Sequence, residues 1–227
     1  MDKLKILNAW HIKLLMVTIM VLDHLRHIDN FISPEIGFYF NLISRCVAPM
    51  FAFLVVEGLI HTSNLKKYLN RLFLFAAITF FGSSLLTMIL GNQWLLRTNV
   101  LFALSLGAFG IVLVTWGKEQ NKRSLYVLAT ICFIVGFLFG EWGTVLIPFM
   151  AATYFFRDKP IYKYTGYIIT VVIAFFIPFS EPYWFIVFPL IFMYNGKRGY
   201  NSVFSKYFFY IFYPVHLWIL AVINYFM

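Results

Sequence analysis

Apolar runs of about 15 to 20 residues follow one another along the chain with short polar breaks between them, the length scale of a helix crossing a hydrocarbon core of about 30 Å. Spans are predicted at about 10 to 28, 36 to 60, 70 to 90, 97 to 117, 124 to 140, 142 to 156, 162 to 180, 183 to 195 and 207 to 226, about nine crossings with the sixth and eighth short. The runs do not alternate residue by residue as the strands of a membrane barrel do, so the predicted fold class is all-α and polytopic. No polar segment is long enough to fold by itself, and residues 1–227 read as a single transmembrane domain. Neither a low-complexity segment nor an internal repeat is visible, which weighs against the inverted repeats of many transporters.

Composition strengthens this reading. Of the 227 residues 62% are hydrophobic and only 12% charged, whereas about a quarter of a soluble domain is charged. Cys46 and Cys132 both fall inside spans and read as small packing residues rather than a disulfide framework or a zinc site, so no metal is expected. Lys3 and Lys5 precede the first run, but that run contains Asp23 and His24 and lacks a small-x-small cleavage site, so it reads as a retained signal-anchor helix. Gly136 and Gly140 form a GxxxG, expected to let helices pack closely. The stretch YNGKRG at 194–199 predicts a tight turn, because Asn-Gly favours positive φ.

The charges order these spans. Lys3, Lys5 and Lys13 flank the first; Lys66, Lys67 and Arg71 follow the second; Lys118, Lys122 and Arg123 follow the fourth; Arg157, Lys159 and Lys163 follow the sixth; Lys197, Arg198 and Lys206 follow the eighth. The intervening connections hold Asp29, Glu35, Glu141 and Glu181 instead. Positive residues stay on the cytoplasmic side, so the N-terminus is predicted inside, the C-terminus outside, and the protein a multi-pass component of the cell membrane. The same bias accounts for most of the +9 net charge, and no nucleic-acid partner is needed to explain it.

Some ionisable residues are left over. Asp23, His24, Arg26 and His27 crowd the end of the first span, Arg45 lies well inside the second, and Arg97 sits against the bias at the end of the fourth. A charge at the centre of a spanning helix costs about 2.5–3.5 kcal/mol, so Arg45 is expected to face the bundle interior with a partner. At 1.5 Å per residue His24 lies roughly 21 Å from Trp10, while Arg45 and His216 lie roughly 13 and 14 Å from the ends of their spans. All three then share a polar layer at middle or outer-middle depth, which in hydrocarbon marks a functional site. Asp23 and His27, four residues apart, share a helix face, so Asp23 is expected to orient His27 directly. His24 is the candidate general base, since imidazole titrates near neutrality. The plainer account of His24 is a buried histidine satisfied by a neighbouring helix; that of His216, two residues after Pro214, is a ring filling the hydrogen bond the proline frees. Snorkelling to headgroups is the plainer account of Arg26 and Arg97.

Several stretches together resemble the TraX family of membrane acetylases, which acetylate the N-terminus of conjugative pilin. LKILNAWHIKLLMVTIMVLDH is similar to the family's opening helix with its terminal Asp-His. RCVAPMFAFLVVEGLIHTSNLKKYLNRLFLFA is similar to a second block, with Arg45, Pro49, Phe51, Phe53, Glu57, Gly58, His61 and Thr62 in order; NVLFALSLG, YNGKRG and YFFYIFYPVHL resemble later ones. The stretch GEWGTVLIPFM departs from the family's pattern at Glu141. More distantly, Lys13, ten residues and then His24 are similar to the basic-x10-His feature of membrane acyltransferases that O-acetylate envelope glycans.

The resemblance implies acetyl-CoA as donor and His24 as the residue carrying the chemistry, with Asp23, Arg45 and His216 around it. The donor's phosphates are expected on basic residues, Lys13, Lys66, Lys67, Arg71, Lys197 and Arg198 being the candidates, and its pantetheine arm between the first, second and last spans. The acceptor is expected from outside: the N-terminal amine of an exported peptide or pilin-like protein, or a hydroxyl of an envelope glycan. A small-solute transporter and a structural subunit of an envelope complex are the readings from other classes.

Overall fold

The computed structural model describes residues 4–28, 31–176 and 182–227. Lys3, Asp29 and Glu181, used above for topology, lie outside the described residues. Those described form ten α-helices: α1 (Ala9–Leu25), α2 (Pro34–Ser44), α3 (Val47–His61), α4 (Leu65–Leu90), α5 (Val100–Gln120), α6 (Arg123–Phe139), α7 (Gly143–Phe155), α8 (Pro160–Phe176), α9 (Val187–Met193) and α10 (Val203–Phe226). Four segments are long and apolar enough to cross a membrane: Pro34–His61, Leu65–Leu90, Trp94–Gln120 and Val203–Phe226.

Each predicted span contains a helix, but the second is two. The chain breaks at Arg45 and Cys46, between α2 and α3. Pro49 is the reason: inside one continuous helix it would strip Arg45 of its i+4 donor and press its ring on that carbonyl, whereas the first turn of a new helix tolerates it. Arg45 therefore sits in the break, capping α2, and not in a helix interior as the sequence predicts.

Helix ends follow local chemistry. The Asn8 side chain accepts from His11 N at 2.9 Å to start α1, Ser33 and Pro34 start α2, and Ser202 and Ser205 form a reciprocal capping box on α10. The 194–199 turn has Gly196 at φ 74° and Gly199 at φ 75°, the positive values expected of it.

The sequence predicts one domain; the described helices gather into two compact units, residues 1–51, 78–98 and 183–227 in the first and 52–77 and 99–182 in the second. Two of the boundaries fall within α3 and α4, where no polar linker marks them in the sequence, and the others fall in the connections before α5 and α9. In the first unit α1 packs against α2 and α10. The buried stripe of α1 runs Ile12, Met16, Val17, Met20 and ends on Asp23 and His24. In the second unit α5, α6 and α7 pack together and α8 lies on α7. A Cβ on Gly136 would run into Ile147, and one on Gly140 into Ala103, so the GxxxG is a close-packing surface. On α8 Tyr167, Thr170 and Ala174 are buried while Ile168, Ile169, Val172 and Ile173 are bare, an apolar exterior that suits lipid rather than water.

Candidate functional site

The polar residues at the end of α1 are all in the first unit, together with Arg45, Trp94, Trp184 and His216. His24 Nδ1 lies 2.8 Å from His216 Nε2, and the two rings stack with centroids 5.0 Å apart. His216 Nδ1 lies 2.9 Å from the carbonyl oxygen of Phe212, one turn earlier on α10. The carbonyl freed by Pro214 is that of Tyr210, so the His216 ring serves a different one.

These two contacts determine where the protons sit. A carbonyl oxygen only accepts, so His216 Nδ1 carries the hydrogen and its Nε2 presents a lone pair. His24 Nδ1 must then donate to that lone pair, which leaves His24 Nε2 as the basic nitrogen, with no hydrogen-bond partner among the described residues. Both histidines are buried, at 8% and 6% exposure. Sequence reasoning found each of them, yet 192 positions separate them and only the fold pairs them.

Asp23 does not orient His27, contrary to the helix spacing. Its carboxylate accepts from Arg26 Nε at 2.8 Å and lies 3.8 Å from Arg45 Nη2. Two guanidinium charges outbid a neutral imidazole for one carboxylate, and charge-assisted pairs are the stronger ones. Arg26 is thus bound to Asp23, and Arg97 donates to Asn92 Oδ1 at 2.7 Å at the surface. Arg45 has the partner its burial demands and more. It donates to the Asn41 carbonyl at 3.1 Å and to the Asn41 side chain, and its guanidinium lies 5.9 Å from the Trp184 ring. A cation on the last carbonyls of α2 also complements that helix's dipole. Two arginines facing one carboxylate leave the neighbourhood of His24 net positive, an arrangement that favours charge developing as an oxyanion.

Sequence reasoning passed over Trp94. It sits on a short 3-10 turn, Trp94–Leu96, that packs on α10, and its indole stacks on His27 with centroids 3.8 Å apart and planes at 19°. Its ring centroid also lies 6.1 Å from that of His24. A lone aromatic in the polar stretch GNQW was the only signal.

The candidate phosphate-binding residues divide. Lys66, Lys67 and Arg71 lie in the second unit, and Lys13, Lys197 and Arg198 in the first with His24. The 193–198 segment is sewn to the start of α1: Leu7 N donates to Met193 O at 3.0 Å, Ala9 N to Lys197 O at 2.9 Å and Trp10 N to Arg198 O at 3.2 Å. Arg198 is thereby close enough to Lys13 to repel it electrostatically. Trp10 packs on Tyr200 and Phe209, each at 5.3 Å, and Lys13 Nζ lies 5.2 Å over Phe209. Among the described residues none of the three cations pairs with a carboxylate. Eleven residues of α-helix turn through three revolutions and about 20°, so Lys13 and His24 share one face of α1 about 16.5 Å apart.

With this geometry in place, comparison with known proteins is informative. The family profile described as "TraX protein" matches residues 9–224. The chain belongs to the TraX family. It is also 25% identical over 249 aligned residues to a protein named "Probable fimbrial assembly protein FimC, serogroup H1" from Dichelobacter nodosus, covering 94% of each chain. No solved structure matches it. The TraX match covers both units, from the first turn of α1 to the last turn of α10.

Proposed function

We propose that this TraX-family protein is a multi-pass acetyltransferase of the cell membrane, crossing it about nine times with the N-terminus in the cytoplasm and the C-terminus outside. It moves an acetyl group from acetyl-CoA to the N-terminal amine of an exported peptide or pilin-like protein. The hydrogen-bond chain from His24 through His216 to the Phe212 carbonyl carries this reading, because it leaves one basic nitrogen in an apolar, positively biased setting. The name of the FimC relative, a fimbrial assembly protein, supports an acceptor of the pilin class.

Donor phosphates sit on Lys13, Lys197 and Arg198, with the adenine against Trp10 and Tyr200. From there an extended pantetheine arm reaches along α1 to His24, a separation of about 16.5 Å. The acceptor nitrogen attacks the thioester carbonyl carbon. As the new C–N bond forms, its proton passes to His24 Nε2; His216 accepts the His24 Nδ1 hydrogen bond and so holds the ring in place. Arg45 and Arg26 favour the negative charge on the carbonyl oxygen. The tetrahedral species collapses by breaking the C–S bond, and the proton on His24 returns to the departing thiolate, giving amide and free CoA thiol.

Detergent-purified protein incubated with acetyl-CoA and candidate acceptors tests this by release of free thiol. Acceptor-stimulated release that falls about 100-fold or more in His24→Ala is the expected result, in the range of general-base effects. A free α-amine, with a pKa of about 7.7–8.0, is partly neutral already, so the variant retains slow N-acetylation, whereas transfer to a sugar hydroxyl stops. Full activity in His24→Ala removes the base assignment. The absence of both turnover and CoA binding removes the donor, and transport or a structural role then takes its place.

A further inference from the structure

Beyond the pair that carries the proposed chemistry, the same end of α1 holds a polar atom that the fold leaves unserved. His27 Nε2 is buried and has no hydrogen-bond partner among the described residues. Buried side-chain nitrogens are satisfied in the large majority of cases, and those that are not call for a ligand, a water or a catalytic use. The natural intrahelical partner, Asp23, is held by two arginines.

Its placement is specific. His27 N donates to His24 O at 3.1 Å, so the end of α1 tightens to an i to i+3 bond. In such a turn residues three apart eclipse one another, and the rings of His24 and His27 fall on one side of the chain. Both face the indole of Trp94. Trp94 is also part-exposed, at 42%. The turn that carries it is pinned by buried Leu95 and Leu96 and by Gln93, whose side-chain oxygen lies 3.4 Å from Asn224 Nδ2. A part-exposed aromatic ring held beside two imidazoles on a pinned turn is a receiving surface, its side chain free to rotate where its backbone is not.

We infer that His27 and Trp94 form the acceptor subsite: His27 Nε2–H donates to the carbonyl oxygen of the first residue of a peptide acceptor, and the exposed part of the Trp94 indole receives that residue's side chain. This rests on the acetyl-transfer reading for its chemistry, though not for its binding. In any peptide the α-amine and the carbonyl oxygen of its own residue are three bonds apart. Two eclipsed imidazoles match that pair: His27 holds the oxygen while His24 Nε2 takes the proton from the nitrogen. The His27 nitrogen is occluded by the surrounding packing, so the acceptor must shift the Trp94 indole as it enters. No bond is made or broken at His27, which is a positioning and selectivity residue.

The test uses the full-length purified protein, an alanine-led pentapeptide with a free α-amine, and n-butylamine, an amine that has no carbonyl. His27→Phe keeps a flat ring on Trp94 and removes the nitrogens; His27→Gln restores a donor. The expected result is a KM for the pentapeptide raised about tenfold in His27→Phe with the KM for acetyl-CoA unchanged, and partial recovery in His27→Gln. The ratio of kcat/KM for pentapeptide over n-butylamine falls by a similar factor. Equilibrium binding of the pentapeptide without donor is measured alongside, with the same weakening expected. An unchanged pentapeptide KM and affinity, or donor and acceptor KM rising together, overturns the subsite. So does acetylation of a chitobiose disaccharide by a protein that ignores the pentapeptide. His27-dependent peptide binding with no thiol release by wild type would keep the subsite and remove the acetyltransferase reading, so the two fail separately.

Discussion

In the first unit a run of hydrogen bonds leads from His24 to His216 and ends on the carbonyl of Phe212, one turn back along α10. In the second unit a run of the same form leads from Tyr167 to Thr153 and ends on the carbonyl of Phe149, one turn back along α7. Thr153 has one hydroxyl hydrogen and gives it to Phe149 O at 2.7 Å, so the Tyr167 hydroxyl must donate to Thr153, at 2.9 Å. The two arrangements differ at the end away from the carbonyl. The second finishes on a phenol oxygen, a very weak base; the first finishes on an imidazole nitrogen with a lone pair, a far stronger one. Tertiary polar bonds in an apolar bundle therefore do not mark a reactive site by themselves. What marks it is a chain whose last atom is a usable base, with net positive charge beside it.

After removal of His24 itself, the largest effect should come from cutting the first chain at its middle. His216→Leu leaves the His24 Nδ1 hydrogen buried without an acceptor, a penalty of about 1–3 kcal/mol, which read as a barrier is about 5- to 150-fold in kcat. His216→Gln, whose side-chain oxygen accepts, should recover part of the loss and return the pH–rate profile toward wild type, which a purely structural role would not require. Kinetics of acetyl transfer by both variants decide it. Equal losses in the two would reduce His216 to packing, and the contrast with Tyr167 would fall with it.

A smaller effect separates the basic residues of the two units. Lys13→Ala should raise the KM for acetyl-CoA about tenfold, about 1.4 kcal/mol, while Lys66→Ala with Lys67→Ala should change it less than twofold. Wild-type donor affinity should also weaken from 0.05 to 0.5 M salt, as screening tightens to a few ångströms, and the slope should flatten in Lys13→Ala. The reverse ranking would move the donor's phosphates to the second unit's cations.

How much of this was legible in the sequence differs by level. The helices were, because apolar runs ended by cation clusters leave few alternatives, and the turn at 194–199 was, because Asn-Gly admits few conformations. The break after Arg45 was written in Pro49, whose missing donor falls on Arg45, but a long apolar run masked it. The pairing of Asp23 was misread because helix spacing offers it both Arg26 and His27 and does not choose between them; the charged Arg26 takes it, and Arg45, brought by the break after α2, adds a second cation. His24 and His216 were visible as misplaced polar residues; their bond was not, since contacts across 192 positions leave no local pattern. His27 was visible in the same cluster, but its stacking on Trp94, an aromatic in a distant connection, was hidden for the same reason.

The smallest effect is the one that makes the comparison sharpest. Tyr167 is fully buried, stacked on Phe149 with centroids 4.1 Å apart, and its hydroxyl joins α8 to α7 through Thr153. Tyr167→Phe removes that donor and keeps the ring, while Thr153 still gives its hydrogen to Phe149 O and is left with lone pairs alone, which tolerate a missing donor better than a stranded hydrogen would. The cost should therefore be that of one ordinary hydrogen bond, about 0.5–1.5 kcal/mol in unfolding free energy, with kcat and both KM values within twofold of wild type. Thermal unfolding in detergent and the thiol-release assay read the two quantities on one preparation. A Tyr167→Phe protein that folds normally but loses turnover as His216→Leu does would mean that the second unit's chain also serves the reaction, and that a basic end is not what tells the two apart.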